Sequence, residues 1–162
     1  MSTPSPTRPR LYWEDFPVGS VREFDGPTVS RDEIIDFARR FDPQPFHLDE
    51  EAARQTHFGG LVASGWHTGS MAMRIICDGY LHEAASLGSP GIDKLRWTAP
   101  VRPGDTLRLR MTVLSARPMK SKPHIGLLES HWEMFNQRGE LVLDMSGWGM
   151  FGRRDAGAPP EP

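Results

Sequence analysis

The stretch Thr106-Leu107-Arg108-Leu109-Arg110-Met111-Thr112-Val113 places polar and apolar residues in strict alternation. A period of two predicts a β-strand with one buried face. Two more strands are predicted after it, at residues 127–135 and 141–151, with a hairpin turn at residues 136–139 between them. The second half of the chain is therefore predicted to form an antiparallel meander.

A sheet with one apolar face needs an element to cover it, and residues 61–85 supply a candidate. They are rich in Ala, Met, Ile and Leu and contain no proline, which predicts that most of the stretch forms one long helix that is buried on several sides. Further strands are predicted at residues 92–99, ended by Pro100, and at residues 21–29. The predicted fold class is α+β, with an antiparallel sheet around one central helix.

Short helices are predicted before the long one. Ser30 followed by Glu33 forms a capping-box pattern at the start of an amphipathic helix over residues 31–41. Because two prolines lie within residues 42–49, this segment is predicted to be a stiff extended turn that excludes regular helix. Asp49 is then predicted to cap a second short helix over residues 50–55.

Length and composition indicate one ordinary globular domain. The chain has 162 residues, a formal net charge of -2 and a single cysteine, so an intramolecular disulfide is excluded. We expect tails at residues 1–10 and 154–162, rich in proline and small residues, around a folded unit at residues 11–153. Neither a nucleic-acid partner nor a membrane is indicated, because basic clusters and long apolar runs are absent from the sequence, and the expected location is the cytoplasm.

Asp42 and His47 are the residues best suited to chemistry. They lie five positions apart on the proline-stiffened loop, where a carboxylate and an imidazole can both reach one water molecule. Such a pair can perform general acid–base catalysis near neutral pH. From spacing alone, the alternative remains open that the Asp forms a turn before proline and the His is structural.

Three segments together carry a resemblance to a known family. The residues Asp42-Pro43-Gln44-Pro45-Phe46-His47 resemble the Asp-x-Asn-Pro-x-His signature of MaoC-like (R)-specific enoyl-CoA hydratases, with Gln44 where Asn is common. The run Gly60-Leu61-Val62-Ala63-Ser64-Gly65 is similar to the entry into the central helix of that family. The run Pro100-Val101-Arg102-Pro103-Gly104-Asp105-Thr106-Leu107 is similar to its turn into the meander.

The resemblance implies a hotdog fold, in which a curved antiparallel sheet wraps a long helix, and at least a homodimer. It implies an acyl-CoA or acyl-carrier thioester as substrate and no cofactor beyond the coenzyme A that is part of that substrate. Asp42 and His47 would activate water for addition to a 2-enoyl thioester. The backbone N–H of Gly65, at a helix N-terminus, would polarise the thioester carbonyl.

Several residues depart from the family pattern near the expected substrate. Ser64 stands where a histidine often precedes the glycine, and Met73, otherwise predicted to be a core residue, stands where some members have a serine. Ser64, Trp66 and Ser70 are therefore candidate substrate-binding residues that would set acyl specificity.

The remaining polar residues leave alternatives open. Lys120 and Lys122 could bind the phosphates of coenzyme A or lie in a solvated hairpin. His57 and His67 are predicted to be structural residues with hydrogen-bond partners. Because the histidines and acidic residues show no recognised ligand spacing, no metal site is predicted.

Two competing functions share the expected fold and ligand. A hotdog thioesterase would hydrolyse the thioester, and a non-catalytic module would only bind it. The segment from Asp42 to His47 favours the hydratase over the thioesterase. The binding module stays open, because an intact Asp/His pair is compatible with weak or absent turnover.

Overall fold

The computed structural model of the chain describes residues 8–154. In chain order the elements are a 3₁₀ turn Trp13–Asp15, β1 Val21–Thr28, α1 Arg31–Phe41, α2 Pro45–Leu48, α3 Glu50–Arg54, α4 Gly65–Gly79, a 3₁₀ turn Leu81–Glu83, β2 Gly91–Trp97, β3 Thr106–Pro118, β4 Ile125–Phe135 and β5 Leu141–Gly152. The predicted tails, residues 1–10 and 154–162, lie mostly outside the described residues. Within residues 8–154, no helix has both the length and the apolar character to cross a membrane.

The five strands form one antiparallel sheet in the order β1-β3-β4-β5-β2. The predicted meander is confirmed, because β3, β4 and β5 are neighbours in that sheet. The inner face of β4 carries the predicted set of alternate buried residues: Leu128, Ser130, Trp132 and Met134. Alternate residues of β4 therefore lie on one buried face of the sheet, as the sequence pattern predicts.

The helix α4 covers this inner face. Its residues Ile75 and Ile76 are each 3% exposed and belong to the same apolar core as the inner strand residues. At the end of the helix, the Tyr80 hydroxyl accepts a hydrogen bond of 3.2 Å from the indole N–H of Trp132 on β4. This is the hotdog arrangement of the predicted α+β class.

The helix covers residues 65–79, which is most of the stretch 61–85 in which it was predicted, and it begins at Gly65, where the family resemblance implied a helix N-terminus. Residues 61–64 are not helical, and the Ala63 N–H donates to the Val101 carbonyl across a neighbouring loop. The prediction of burial on several sides is wrong, because Trp66 is 61% exposed and Met73, predicted to lie in the core, is 47% exposed.

The segment between α1 and α3 corrects a second prediction. Residues Pro45–Leu48 form one helical turn, α2, although the prolines were expected to exclude helix. Pro45 occupies the first position of that turn, where a missing N–H breaks no hydrogen bond and the fixed φ suits the helix. His47 lies in this turn and is buried, so the wrong prediction for the segment affects one of the two candidate catalytic residues.

The predicted helix caps are confirmed. The Ser30 side chain accepts from the Glu33 N–H, and the Glu33 carboxylate accepts from the Ser30 N–H, as in a capping box. The Asp49 carboxylate accepts from the Ala52 N–H at 2.7 Å and caps α3. The first cap fixes the start of α1, which ends at the loop that carries Asp42 and His47, and the second fixes the start of α3, which follows that loop.

Candidate active site

Asp42 and His47 are brought together by the end of α1 and the single turn of α2. Asp42 is the last capping residue of α1, and its N–H donates to the Ala38 carbonyl. The distance from Nε2 of His47 to Oδ2 of Asp42 is 3.3 Å, and the two side chains are 7% and 16% exposed. The predicted pair is therefore a close, largely buried pair of an imidazole and a carboxylate.

The hydrogen bond on the far side of the His47 ring fixes its tautomer. Nδ1 lies 2.6 Å from the carbonyl oxygen of Val62, which can only accept. Nδ1 therefore carries a proton, and in the neutral ring Nε2 has its lone pair directed towards the site. Val62, in the segment before α4, thus determines which nitrogen of His47 is free to accept a proton.

Asp42 accepts two side-chain hydrogen bonds. Ser64 Oγ donates to Oδ2 at 2.6 Å, and Gln44 Nε2 donates to Oδ1 at 2.7 Å. Burial raises the pKa of Asp42, but the bonds from Ser64 and Gln44, together with the neighbouring His47, outweigh it and leave the pKa below its usual value. Asp42 is therefore ionised at neutral pH.

Ser64 connects the pair to the helix. It is fully buried, and its Oγ accepts from the Trp66 N–H at 3.2 Å while it donates to Asp42. The hydroxyl caps α4 and holds Asp42 at the same time, so it has protein partners on both sides. This geometry indicates that Ser64 positions Asp42, whereas the sequence suggested contact with substrate.

Gly65 follows Ser64 as the first residue of α4. Its N–H is one of the groups that a helix cannot satisfy internally, and no described residue accepts a hydrogen bond from it. The helix dipole adds partial positive charge at this point. A short chain of contacts, from Gly65 through Ser64 to Asp42, therefore joins a free N–H donor to the acid–base pair.

Trp97, at the end of β2, is a site residue that the sequence reasoning missed. A Cβ built on Gly65 would lie 2.5 Å from Cδ2 and Cε2 of the Trp97 ring, so only glycine fits beneath the indole. Trp66 packs edge-on against the same ring, with centroids 5.2 Å apart. A tryptophan at the end of a predicted strand was visible in the sequence, but its contact with a glycine 32 positions away was not.

A cavity of about 260 Å³ lies beside Gly65. Its walls include Thr68 from α4, Trp97 from β2 and Pro100 and Val101 from the loop that follows. Asp42 and His47 do not line it. The cavity thus lies next to Gly65, the expected carbonyl donor, and is bordered by Val62 and Ala63 of the segment that contacts the pair.

Three of the predicted substrate-binding residues, Ser70, Lys120 and Lys122, do not lie beside Asp42 and His47. Ser70 is exposed, and its hydroxyl donates to the Trp66 carbonyl in its own helix. Lys120 and Lys122 lie in the loop between β3 and β4, at the end of the sheet opposite Trp97. Within one copy of the chain, these three residues are separate from Asp42.

His67 is a buried polar residue next to the site. Its ring stacks on Phe37 with centroids 4.7 Å apart, and burial lowers its pKa, against the opposing effect of Glu33. Nδ1 has no hydrogen-bond partner among the described residues, so the prediction of a satisfied structural histidine is wrong for this atom. The described residues contain no cluster of three or more His, Cys, Asp or Glu that could hold a metal ion.

Comparisons with known proteins match the sequence and the fold of this chain to one family. A family model described as a MaoC like domain matches residues 15–129. The solved structure of a MaoC-like dehydratase from Rhodospirillum rubrum is 42% identical, covers 89% of this chain and 98% of its own, and superposes with a TM-score of 0.82.

Two curated relatives cover most of the chain. The uncharacterized protein YdeM of Bacillus subtilis is 31% identical over 132 residues, which is 81% of this chain and 92% of that protein. A 3-hydroxybutyryl-CoA dehydratase of Methylorubrum extorquens is 28% identical over 139 residues, which is 83% of this chain and 80% of the enzyme.

Proposed function

Because this chain belongs to the MaoC-like domain family, we propose that it adds water reversibly across the double bond of a 2-enoyl thioester. The observation that carries the proposal is the pair Asp42 and His47, 3.3 Å apart, with its ionisation and tautomer set by neighbouring groups. When Asp42 is ionised and the His47 ring is neutral, the carboxylate and Nε2 are both acceptors. They are therefore suited to hold one water molecule through its two protons.

In the proposed step, the hydroxyl group of water is added to C3 of the substrate and a proton is added to C2. One O–H bond of the water breaks, its oxygen forms a bond to C3, and the C2–C3 double bond becomes single. The released proton is passed by the pair to C2, which gives a 3-hydroxyacyl thioester. The reverse sequence is dehydration, and neither direction needs an oxidant or a reductant.

Gly65 is proposed to stabilise the charge that develops during this step. As C3 is attacked, electron density moves to the thioester oxygen, and a preorganised N–H donor stabilises it there. The Gly65 N–H has no acceptor among the described residues and lies at the positive end of α4, which supports this role.

Relatives support a coenzyme A thioester as the carrier of the acyl group. The Methylorubrum extorquens relative is a 3-hydroxybutyryl-CoA dehydratase, an enzyme whose name gives the same chemistry in the dehydrating direction. We propose that this chain also acts on a thioester of this kind, whose acyl group is carried by coenzyme A or by an acyl-carrier protein.

The test is absorbance at the enoyl-thioester band with purified protein and crotonyl-CoA and longer 2-enoyl-CoA substrates, beside a free-thiol assay. We expect the enoyl absorbance to fall without release of thiol. Release of thiol at the same rate would instead identify a thioesterase. Saturable acyl-CoA binding without either signal would identify a binding module, and both results contradict the proposal.

Replacement of Ser64 by alanine is expected to shift the acid limb of the pH profile of kcat/KM to higher pH. The Ser64 hydroxyl helps to hold the pKa of Asp42 below its usual value, so its loss raises that pKa and reduces the ionised fraction at low pH. Loss of the helix cap should also lower the free energy of unfolding by about 1 kcal/mol.

The matched control is Ser115→Ala, because Ser115 also donates to a carboxylate, Glu129, at 2.7 Å but lies outside the site. Its acid limb should stay at the wild-type position. An acid limb that is equally unmoved in Ser64→Ala, with the protein folded, would argue against ionised Asp42 in the reaction.

We also propose that two copies of the chain pair through β2, which is an edge strand with Ile92 48% and Trp97 44% exposed. A two-fold axis across β2 would reverse one sheet relative to the other. The loop with Lys120 and Lys122 of one copy would then lie towards the Trp97 end of the other, where these lysines could bind coenzyme A phosphates. A sedimentation coefficient of a monomer would contradict this pairing.

A further inference from the structure

A recess of about 660 Å³ lies at the end of the sheet where β4 begins and β5 ends, and we call it the basic recess. None of the described residues in its wall is acidic, and four are cationic: Arg8, Lys122, Arg153 and Arg154. Because the whole chain has a formal net charge of -2, this concentration of positive charge is local. A concave surface with one sign of charge attracts a ligand of the opposite sign.

The cations of the basic recess are only partly balanced by the protein. Arg154 Nη2 lies 2.6 Å from Oδ2 of Asp15, which does not line the recess. Neither Arg8 nor Lys122 forms an ion pair with any residue of the described range 8–154. An anion in the recess would supply the negative charge that these two side chains lack.

Much of the remaining wall is aromatic or apolar and consists of Tyr12, Leu87, Ile125 and Met150. Leu87 is 48% exposed although its side chain is large and apolar. An aromatic side chain beside exposed apolar groups suits a flat ring on the ligand, because such a ring can stack and leave water at the same time.

Backbone hydrogen bonds hold the segments that form this wall. The Leu87 N–H donates to the Met150 carbonyl at 2.8 Å, and the Arg153 N–H donates to the His124 carbonyl at 3.0 Å. The loop before β4, the end of β5 and the segment at Leu87 are thus fixed beside one another. A wall that is ordered before binding lowers the entropic cost of taking up a ligand.

The size and charge of the recess point to one class of ligand. A volume of about 660 Å³ lies in the range of small-molecule sites. Four cationic side chains favour more than one negative charge, which a chain of phosphates supplies and a single carboxylate does not. We infer that the basic recess binds a nucleoside phosphate, with its phosphates beside Arg8 and Lys122 and its base against Tyr12 and Leu87.

Two sources carry this chemistry, a free nucleotide and the nucleotide end of coenzyme A. Within one copy, Leu143 pairs with Trp97, and Gly152 at the recess lies nine residues further along β5, which corresponds to about 30 Å. A pantetheine arm spans about 16 Å, given about 13 bonds of about 1.3 Å each. Coenzyme A in the recess would therefore place its thioester in the site of a second copy, and this source alone rests on the proposed function.

The first test is isothermal titration calorimetry of the full chain with ADP, adenosine and pyrophosphate. Adenosine lacks the charges of ADP, and pyrophosphate lacks its ring. We expect ADP to bind at least about tenfold more tightly than either fragment, because only ADP makes both kinds of contact. Equal affinities of ADP and pyrophosphate, or no saturable binding of ADP, would overturn the inference.

Charge reversal tests the location. Lys122 and Arg8 are exposed, so Lys122→Glu and Arg8→Glu should fold, and each replaces an attraction to phosphate by a repulsion. We expect each variant to weaken the binding of ADP by about tenfold or more. The matched control is Arg108→Glu, which makes the same change in net charge at an exposed position near the other end of the sheet and should bind ADP as the wild type does. An equal loss in the control, or no loss in either recess variant, would contradict the location.

Steady-state kinetics identify the source. If the nucleotide belongs to coenzyme A, Lys122→Glu should raise KM for crotonyl-CoA about tenfold relative to KM for crotonyl-pantetheine, which has no nucleotide. If the ligand is a free nucleotide, the ratio of these two KM values should stay at the wild-type value. Binding of ADP that depends on Lys122, in a protein without turnover, would contradict the proposed function alone. Turnover without any binding of ADP would contradict the nucleotide site alone.

Discussion

Replacement of Asp42 by asparagine is expected to lower kcat for enoyl-CoA hydration by about 10³-fold, within the range for a lost acid–base group. Asparagine has nearly the same shape, and its carbonyl oxygen can still accept from Gln44 while its amide group donates towards Nε2 of His47. What it lacks is the negative charge and the ability to accept a proton from water. The measurement is kcat beside the thermal unfolding temperature, which should remain near that of the wild type.

Gln44→Ala is the control for damage to the loop. Gln44 is exposed and donates to the same carboxylate, so its removal perturbs Asp42 while leaving the base in place. A loss of less than about tenfold is expected there, because a single hydrogen bond contributes modestly. If folded Asp42→Asn kept kcat within tenfold of the wild type, water activation by this carboxylate would be refuted.

The sequence predicted that Asp42 and His47 lie close together, but not the hydrogen bond that holds Asp42 in place. Asp42 and His47 are five residues apart, so a local pattern could identify them. The bond from Ser64 to Asp42 joins residues 22 positions apart, and it exists only because α1 and α4 pack side by side. Long-range contacts of this kind follow from the tertiary fold, which one sequence does not specify residue by residue.

The predicted helices and strands also differ in accuracy according to whether they depend on local patterns or on long-range contacts. The strands β3 to β5 were predicted well, because alternation with a period of two requires only neighbouring residues. Apolar composition alone located α4 only as most of the stretch 61–85, since Leu61 and Val62 are apolar but lie outside the helix. Its start is marked by Ser64, whose hydroxyl caps the helix, while the preceding Ala63 N–H donates to the Val101 carbonyl.

Removal of the Gly65 N–H is expected to lower kcat by 10²- to 10³-fold, the range for one donor to a developing oxyanion. Proline removes this N–H and suits the first position of a helix. The preceding Ser64 has ψ 141°, which lies within the range that a residue before proline prefers and outside the disfavoured helical region. Any side chain at Gly65, however, would collide with Trp97, so a single substitution would mix two effects.

The two effects separate in a Trp97→Ala background, where the colliding ring atoms are gone. Gly65→Ala in that background adds a Cβ and keeps the N–H, whereas Gly65→Pro adds a ring and removes it. We expect the proline variant to have a kcat at least 10²-fold below that of the alanine variant, with KM less affected, because the donor acts mainly in the transition state. Equal kcat values in the two folded proteins would exclude the Gly65 N–H as the carbonyl donor, and a loss in both relative to Trp97→Ala alone would assign the need for glycine to space.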